Sequence, residues 1–211
     1  MVSMVVQIES QYFMNIVSYS TLLKSSHIDF SLCDSFRKMS FRNRCVISTA
    51  NGLLSLTVPI LGGRSVRAPF SETRIDHSSP WQERHWRSIF TAYGNSPWFF
   101  HYGDSLELLF RRRETFLADW NQGCFEWLND AVGVSLSVAN DPSEVERGLL
   151  DLRDLIRPNN FQDHDLGPFP IYPQVFEEKN GFQPNLSMLD LVLNMGKSTL
   201  DILAKVASRK T

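Results

Sequence analysis

The sequence predicts an α/β fold: a mixed sheet opened by a β-α-β unit and carrying a β-hairpin, followed by a helix-rich C-terminal half. Three observations carry that expectation. Short apolar runs at 4–8 and 27–32 bracket a helical stretch at 16–23. Two β-rich runs, Cys45 to Ser48 and Leu53 to Val58, flank Asn51-Gly52, a dipeptide that supplies the positive φ angles of a tight turn. From Trp81 onward the apolar period lengthens from two residues towards 3.6.

In order along the chain, Met4 to Ile8 reads as a buried first strand, Ile16 to Leu23 as a short helix and His27 to Leu32 as a half-buried strand. Trp86, Phe90 and Tyr93, at i, i+4 and i+7, predict an apolar helix stripe that Gly94 terminates. The helical signal continues at Leu106 to Phe110 and at Phe116 to Leu128, and Ser135 to Val138 returns to the sheet. Residues 158–185 hold five prolines (158, 168, 170, 173 and 184), and a connection this long in a compact domain suits a loop or lid over a site. Ser187-x-x-Asp190 and Ser198-x-x-Asp201 resemble capping boxes, so two short helices divided near Gly196 are expected, with Asp190 as a helix cap.

Length and composition set bounds on class. A chain of 211 residues, 43% hydrophobic and 21% charged, suits one globular domain over 1–211. The formal net charge of -2 gives no global attraction for nucleic acid or anionic lipid. Cys33, Cys45 and Cys124 are far apart and form no CxxC, which argues against a disulfide framework and points to a reducing compartment, taken as cytoplasmic. No apolar run reaches the roughly 18 residues of a membrane span, so no membrane insertion is expected. The five histidines share no ligand spacing, and no metal or cofactor is expected.

Chemistry concentrates in a few places. The segment RKMSFRNR carries Arg37, Lys38, Arg42 and Arg44 with no acid between them. If Arg42 and Arg44 enter the following strand, their period-2 spacing puts both guanidinium groups on one face, where they could grip a phosphate or carboxylate. The plainer alternative is a solvated basic edge that protects a strand from aggregation. His85, one turn after Trp81 and flanked by Arg84 and Arg87, is a candidate general base whose pKa those cations would depress. Gly196-Lys197-Ser198 fails as a phosphate loop because position 191 is leucine, and no GxSxG or GxGxxG occurs.

Several segments together resemble the WbqC-like family of bacterial proteins: QYFMNIVSY at 11 to 19, SFRNRCVI at 40 to 47, LSLTVPI at 54 to 60, HWRSIFTAYGNSPWFFHY from residue 85, and YPQVFEEKNGFQPNLSMLDLVLNMG at 172 to 196. The likeness spans nearly the whole chain, with Met14 standing where many members have proline. It singles out Gln11, Tyr12, Arg42, Asn43, Arg44, His85, Tyr93, Gln174, Asn185, Ser187 and Asp190. The family is associated with bacterial surface-polysaccharide and O-antigen gene clusters, which implies a transferase modifying an activated sugar. The expected ligand is then an anionic small molecule, a nucleotide sugar or an acyl donor. Arg42, Arg44 and Lys38 would lie towards its phosphates, His85 would act as base, and Gln11, Tyr12 and Asn43 would orient substrate. A non-catalytic module that binds a nucleotide-linked metabolite or a partner protein is the alternative. Nucleic-acid binding through RKMSFRNR and Arg111-Arg112-Arg113 ranks last, because the chain is acidic overall.

Overall fold

The computed structural model describes residues 4–63, 68–136, 138, 149–167 and 169–208. The β-α-β opening forms as expected. Strand β1 (Val5–Gln7) leads into helix α1 (Ile16–Leu22), and the chain returns in β2 (His27–Asp29), parallel to β1 in the register Val5↔His27 to Gln7↔Asp29. Asn15 starts α1 by accepting the Ser18 amide at 2.9 Å, which satisfies one of the donors that a helix start leaves orphaned.

Residues Arg44–Thr49 (β3) and Gly52–Thr57 (β4) form the antiparallel hairpin. The pairing Thr49↔Gly52 leaves Ala50 and Asn51 as the loop, and Gly52, at φ 98°, supplies the positive φ. Helices α2 (Trp81–Tyr93), α3 (Phe99–Arg111) and α4 (Leu117–Val132) then pack as the helix-rich part. On α2 the buried face is Trp81, His85, Ile89, Ala92 and Tyr93. The expected stripe Trp86–Phe90–Tyr93 is corrected: Phe90 is 56% exposed, and its ring meets Trp86 at a tilt and Phe99 edge-on. Helix α3 begins seven residues earlier than its strongest apolar signal.

The third strand of the parallel sheet is β5 (Leu149–Asp151), which pairs with the other side of β1 and gives the order β2-β1-β5. Of the expected return at 135–138, Val138 makes a parallel bridge to Ile28, while Ser137 lies outside the described residues. The proline-rich segment, whose Pro168 is also outside them, carries the short helix α5 (Glu177–Asn180). Helices α6 (Met188–Met195) and α7 (Thr199–Ser208) follow. Among the described residues no helix is long and apolar enough to cross a membrane.

The largest core cluster gathers Val6, Ile8 and Tyr12 from around β1 with Trp81, Tyr93, Trp120 and the α6 leucines. The break between α6 and α7 has a steric origin. Gly196 holds φ 51°, and a Cβ there would stand 2.0 Å from the Trp98 ring. Gly196→Ala therefore combines backbone strain with an overpacked contact and is expected to destabilise the fold by about 2–3 kcal/mol. For a domain of this size the melting temperature would fall by roughly 4–12 °C.

Candidate functional site at the carboxyl edge of the parallel sheet

Strand β1 is central, with β2 on one side, reached directly through α1, and β5 on the other, reached only after the hairpin and helices α2 to α4. That arrangement makes the carboxyl end of β1 a topological switch point, where open α/β sheets form crevices. The residues just past the three strand ends are polar to an unusual degree. Glu9, Ser10 and Gln11 follow β1 and are buried. Asp29 ends β2, with Ser31 and Asp34 close behind, and Asp151, Arg153 and Asp154 end β5 and lead out of it.

These groups are wired to one another. Gln11 Nε2 donates to Glu9 Oε1 at 2.8 Å and to Ser18 Oγ at 3.2 Å, and the Asp154 amide donates to Glu9 Oε2 at 2.9 Å. Burial pushes the Glu9 carboxyl up, opposed by those hydrogen bonds and by the Arg42 charge. Arg42, 1% exposed, reaches in from a 3-10 turn at Phe41–Asn43, with Nη1 3.3 Å from Asp154 Oδ1 and Nη2 3.7 Å from Asp34 Oδ2. Arg37 Nη1 meets Asp154 Oδ2 at 2.6 Å, and Arg153 bridges Asp34 at 3.2 Å and Asp151 at 2.7 Å.

Two buried polar atoms in this cluster have no hydrogen-bond partner: Arg42 Nη2 and Ser31 Oγ. Arg42 Nη2 lies 3.7 Å from Asp34 Oδ2, and the Ser31 backbone is joined to the same residue, the Asp34 amide donating to the Ser31 carbonyl at 3.1 Å. Orphaned buried donors are costly, and most native ones are satisfied by something. The backbone here is strained as well. Five non-glycine residues among those described have positive φ: Phe13, Ser31, Met39, Asp154 and Asn185. Four of them stand in the loops after β1, β2 and β5 or just before the Arg42 turn, and Asn185 is tied to the start of α1 by accepting the Val17 amide at 2.9 Å. Strain of this kind persists where surrounding contacts enforce it and gathers at ligand sites.

The structure distributes the sequence-predicted residues over several places. Gln11 and Arg42 belong to the carboxyl-edge cluster. Asn185 and Ser187 brace it: Asn185 Nδ2 donates to the Phe161 carbonyl at 2.7 Å, and Ser187 Oγ to the Phe13 carbonyl at 2.9 Å. Asn43 Nδ2 donates to the Val58 carbonyl at 2.8 Å and holds the hairpin. Arg44 opens β3, half-buried, with its Nε unpartnered. The expected spacing of Arg42 and Arg44 along one strand is corrected, because Arg42 sits in the 3-10 turn. Lys38 is exposed. The local surplus of cations in RKMSFRNR is matched by Asp34 and Asp154, which arrive from other parts of the chain.

Tyr12 and His85 form a second group. His85 Nδ1 lies 3.1 Å from the Tyr12 hydroxyl, inside a cage of Trp81, Tyr12 and, through them, Trp120. Its pKa falls to about 4, chiefly through burial and secondarily through Arg84, against a backbone hydrogen bond with Thr57. The third group surrounds Asp190, which is completely buried. Its Oδ1 accepts from the Tyr93 hydroxyl at 2.8 Å, and its Oδ2 accepts from the Tyr172 hydroxyl at 2.6 Å and Gln174 Nε2 at 3.1 Å. The expected capping-box role is corrected: Ser187 caps α6 through its own hydroxyl and the Leu189 amide, while the Asp190 carboxylate turns inward.

Burial raises Asp190 to about 6 from 3.8, whereas it lowers His85 from 6.5 to about 4. The two act on stability in opposite directions over one window. The Asp190 contribution is fully present below about pH 4 and lost as pH rises through about 6. The His85 contribution is present above about pH 6.5 and lost as pH falls through about 4. Each shift of two units or more corresponds to roughly 3 kcal/mol. In wild type these two titrations largely cancel across pH 4 to 6.5. Asp190→Asn should lose stability steeply towards acid over that range and His85→Gln should gain it. Chemical denaturation at half-unit pH steps measures both.

Sequence reasoning missed Glu9, Ser31, Asp34, Arg153 and Asp154. Glu9 was the most accessible of these, as an acid placed directly after an apolar strand. Among the described residues no group of three or more His, Cys, Asp or Glu side chains is placed to hold a metal ion.

Fold and site together define a small α/β protein with a polar, internally braced cluster of side chains at the carboxyl edge of a parallel sheet. Residues 12–149 match the WbqC-like protein family, and the chain belongs to it. It is also similar to the uncharacterized protein Rv1507c of Mycobacterium tuberculosis, with 26% identity over 193 residues that cover 80% of this chain and 83% of that protein. No solved structure matches the chain.

Proposed function

We propose that the protein is a transferase that modifies an activated sugar of the surface-polysaccharide type, and that the sugar is held at the carboxyl edge of β1, β2 and β5. The observation that carries this reading is a pair of buried groups without a hydrogen-bond partner: Arg42 Nη2, 3.7 Å from the Asp34 carboxylate, and the hydroxyl of Ser31, the residue whose carbonyl accepts the Asp34 amide. Sugar hydroxyls both donate and accept. One could accept from Arg42 while donating to Asp34, and a neighbour could meet Ser31. The arginines are already matched by acids, so the cluster suits hydroxyls better than a bare phosphate. The donor's phosphate is assigned to the rim, where Lys38 and Arg37 are exposed.

In this reading Glu9 replaces His85 as the acid–base group, because it lies within the cluster and burial lifts its pKa towards neutrality. His85 instead positions Tyr12, whose chain neighbour is Gln11. Both Glu9 oxygens accept hydrogen bonds within the protein, which favours a second reading: a module that binds the same ligand and returns it unchanged. Incubation with a nucleotide sugar and a candidate acceptor or acyl donor, read by mass spectrometry, separates the two. A transferase gives a mass change that Glu9→Gln abolishes. Recovery of unaltered ligand from a saturated protein supports the module.

A further inference from the structure

A cavity of about 350 Å³ lies on the other side of Ser18 from the polar cluster, within the range of small-molecule sites. Its walls come from the residues flanking β1, from β5 and the chain after it, and from α1 and α7, with Ile8, Val17, Leu150, Leu152, Ile156 and Val206 among them. The lining is apolar except on α1 and just beyond it, where Ser18, Ser20 and Thr21 lead to Lys24. The two outer hydroxyls are occupied: Ser20 Oγ donates to the Val17 carbonyl and Thr21 Oγ1 to the Ser18 carbonyl. Among the described residues Lys24 is the one charged residue of the lining; it is exposed and forms no ion pair with them. Leu150 and Leu155, both in the wall, remain 42% and 48% exposed, which is apolar surface that an occupant would cover.

An apolar chamber with a single cation at its rim complements a molecule with an apolar tail and one negative charge. We propose that this cavity binds a medium-chain fatty acyl carboxylate, with the chain between the β1–β5 face and helices α1 and α7 and the carboxylate on Lys24. Transfer of the chain from water supplies the affinity, and Lys24 selects the anionic head. The inference stands apart from the sugar reading, because neither Ser31, Asp34 nor Arg42 lines this cavity.

The test is calorimetric titration of the purified chain with hexanoate, octanoate, decanoate and octanol, all below their aggregation limits. Binding is expected to tighten about three- to fourfold per methylene. Lys24→Gln, a surface change that leaves the fold intact, should weaken octanoate about threefold and leave octanol unchanged. Thr21→Trp, which fills the chamber from α1, should abolish both, with its thermal melt as the folding control. Ser31→Ala should bind octanoate as wild type does, so that failure at the sugar site is distinguishable from failure here. Absence of octanoate and decanoate binding at millimolar concentration overturns the proposal, as does binding that is indifferent to both Lys24→Gln and Thr21→Trp.

Discussion

Asp190→Ala lowers the melting temperature at pH 7 by roughly 6–20 °C, the equivalent of about 3–5 kcal/mol in a domain of this size. The magnitude follows from what the carboxylate does. It accepts from Tyr93, Tyr172 and Gln174, all buried, and Tyr93 accepts from the Ser48 amide in turn. Truncation leaves the buried Tyr93 and Tyr172 hydroxyls without an acceptor, while Gln174 Nε2 keeps the Gln183 carbonyl at 2.9 Å, and each stranded group costs about 1–3 kcal/mol. Part of that loss is offset, because an ionised carboxylate no longer has to be buried. The damage is also local. Tyr172 and Gln174 belong to the proline-rich segment, and Gln174 further holds Gln183 by accepting its amide at 2.8 Å. Limited proteolysis of the variant should therefore cut first within 158–185, and Asp190→Asn, which keeps one acceptor oxygen, should be protected relative to the alanine variant.

Arg42→Ala costs about 3–5 kcal/mol for a related reason, since removing one partner of a buried ion pair strands the others. Asp154 keeps Arg37 at 2.6 Å, and Asp34 keeps Arg153 at 3.2 Å, so the penalty falls at the lower end of that range. Arg42→Lys is not expected to restore the wild-type value. One ammonium cannot address Asp154 and Asp34 from the two ends of a planar fork. A double-mutant cycle with Asp154→Asn should show coupling of about 1 kcal/mol or more, and denaturant unfolding of the four proteins measures it.

The fold was legible where periodicity was strong. The β-α-β opening, the hairpin at Asn51-Gly52 and the helix from Trp81 each rest on a local pattern that the structure realises. Strand β5 was not legible: its three residues are all exposed, so no in–out alternation marks them, and only backbone pairing with β1 makes them a strand. The same non-locality hid most of the candidate site. Arg42 was visible as part of a basic run, yet its partners Asp34 and Asp154 lie 8 and 112 positions away, and no spacing rule links them. Asp190 shows the converse failure. Its spacing from Ser187 suggested a cap, but α6 is buried on nearly every side and turned the carboxylate towards the aromatic hydroxyls instead. His85 was recognised as unusual and its depressed pKa anticipated, although burial rather than the flanking arginines is the larger cause.

In the proposed function the polar cluster of Ser31, Asp34 and Arg42 holds a sugar. The most direct test is thermal stability of wild type and Ser31→Ala across nucleotide sugars, free nucleotides and acyl donors, since a ligand bound to the native state raises its melting temperature by mass action. Ser31→Ala removes only an unpartnered hydroxyl and so leaves the unliganded protein near wild-type stability. A rise with nucleotide sugars that free nucleotides do not reproduce, and that Ser31→Ala reduces or loses, is the predicted result. A rise of equal size in both proteins, or none with any nucleotide sugar, would contradict the account.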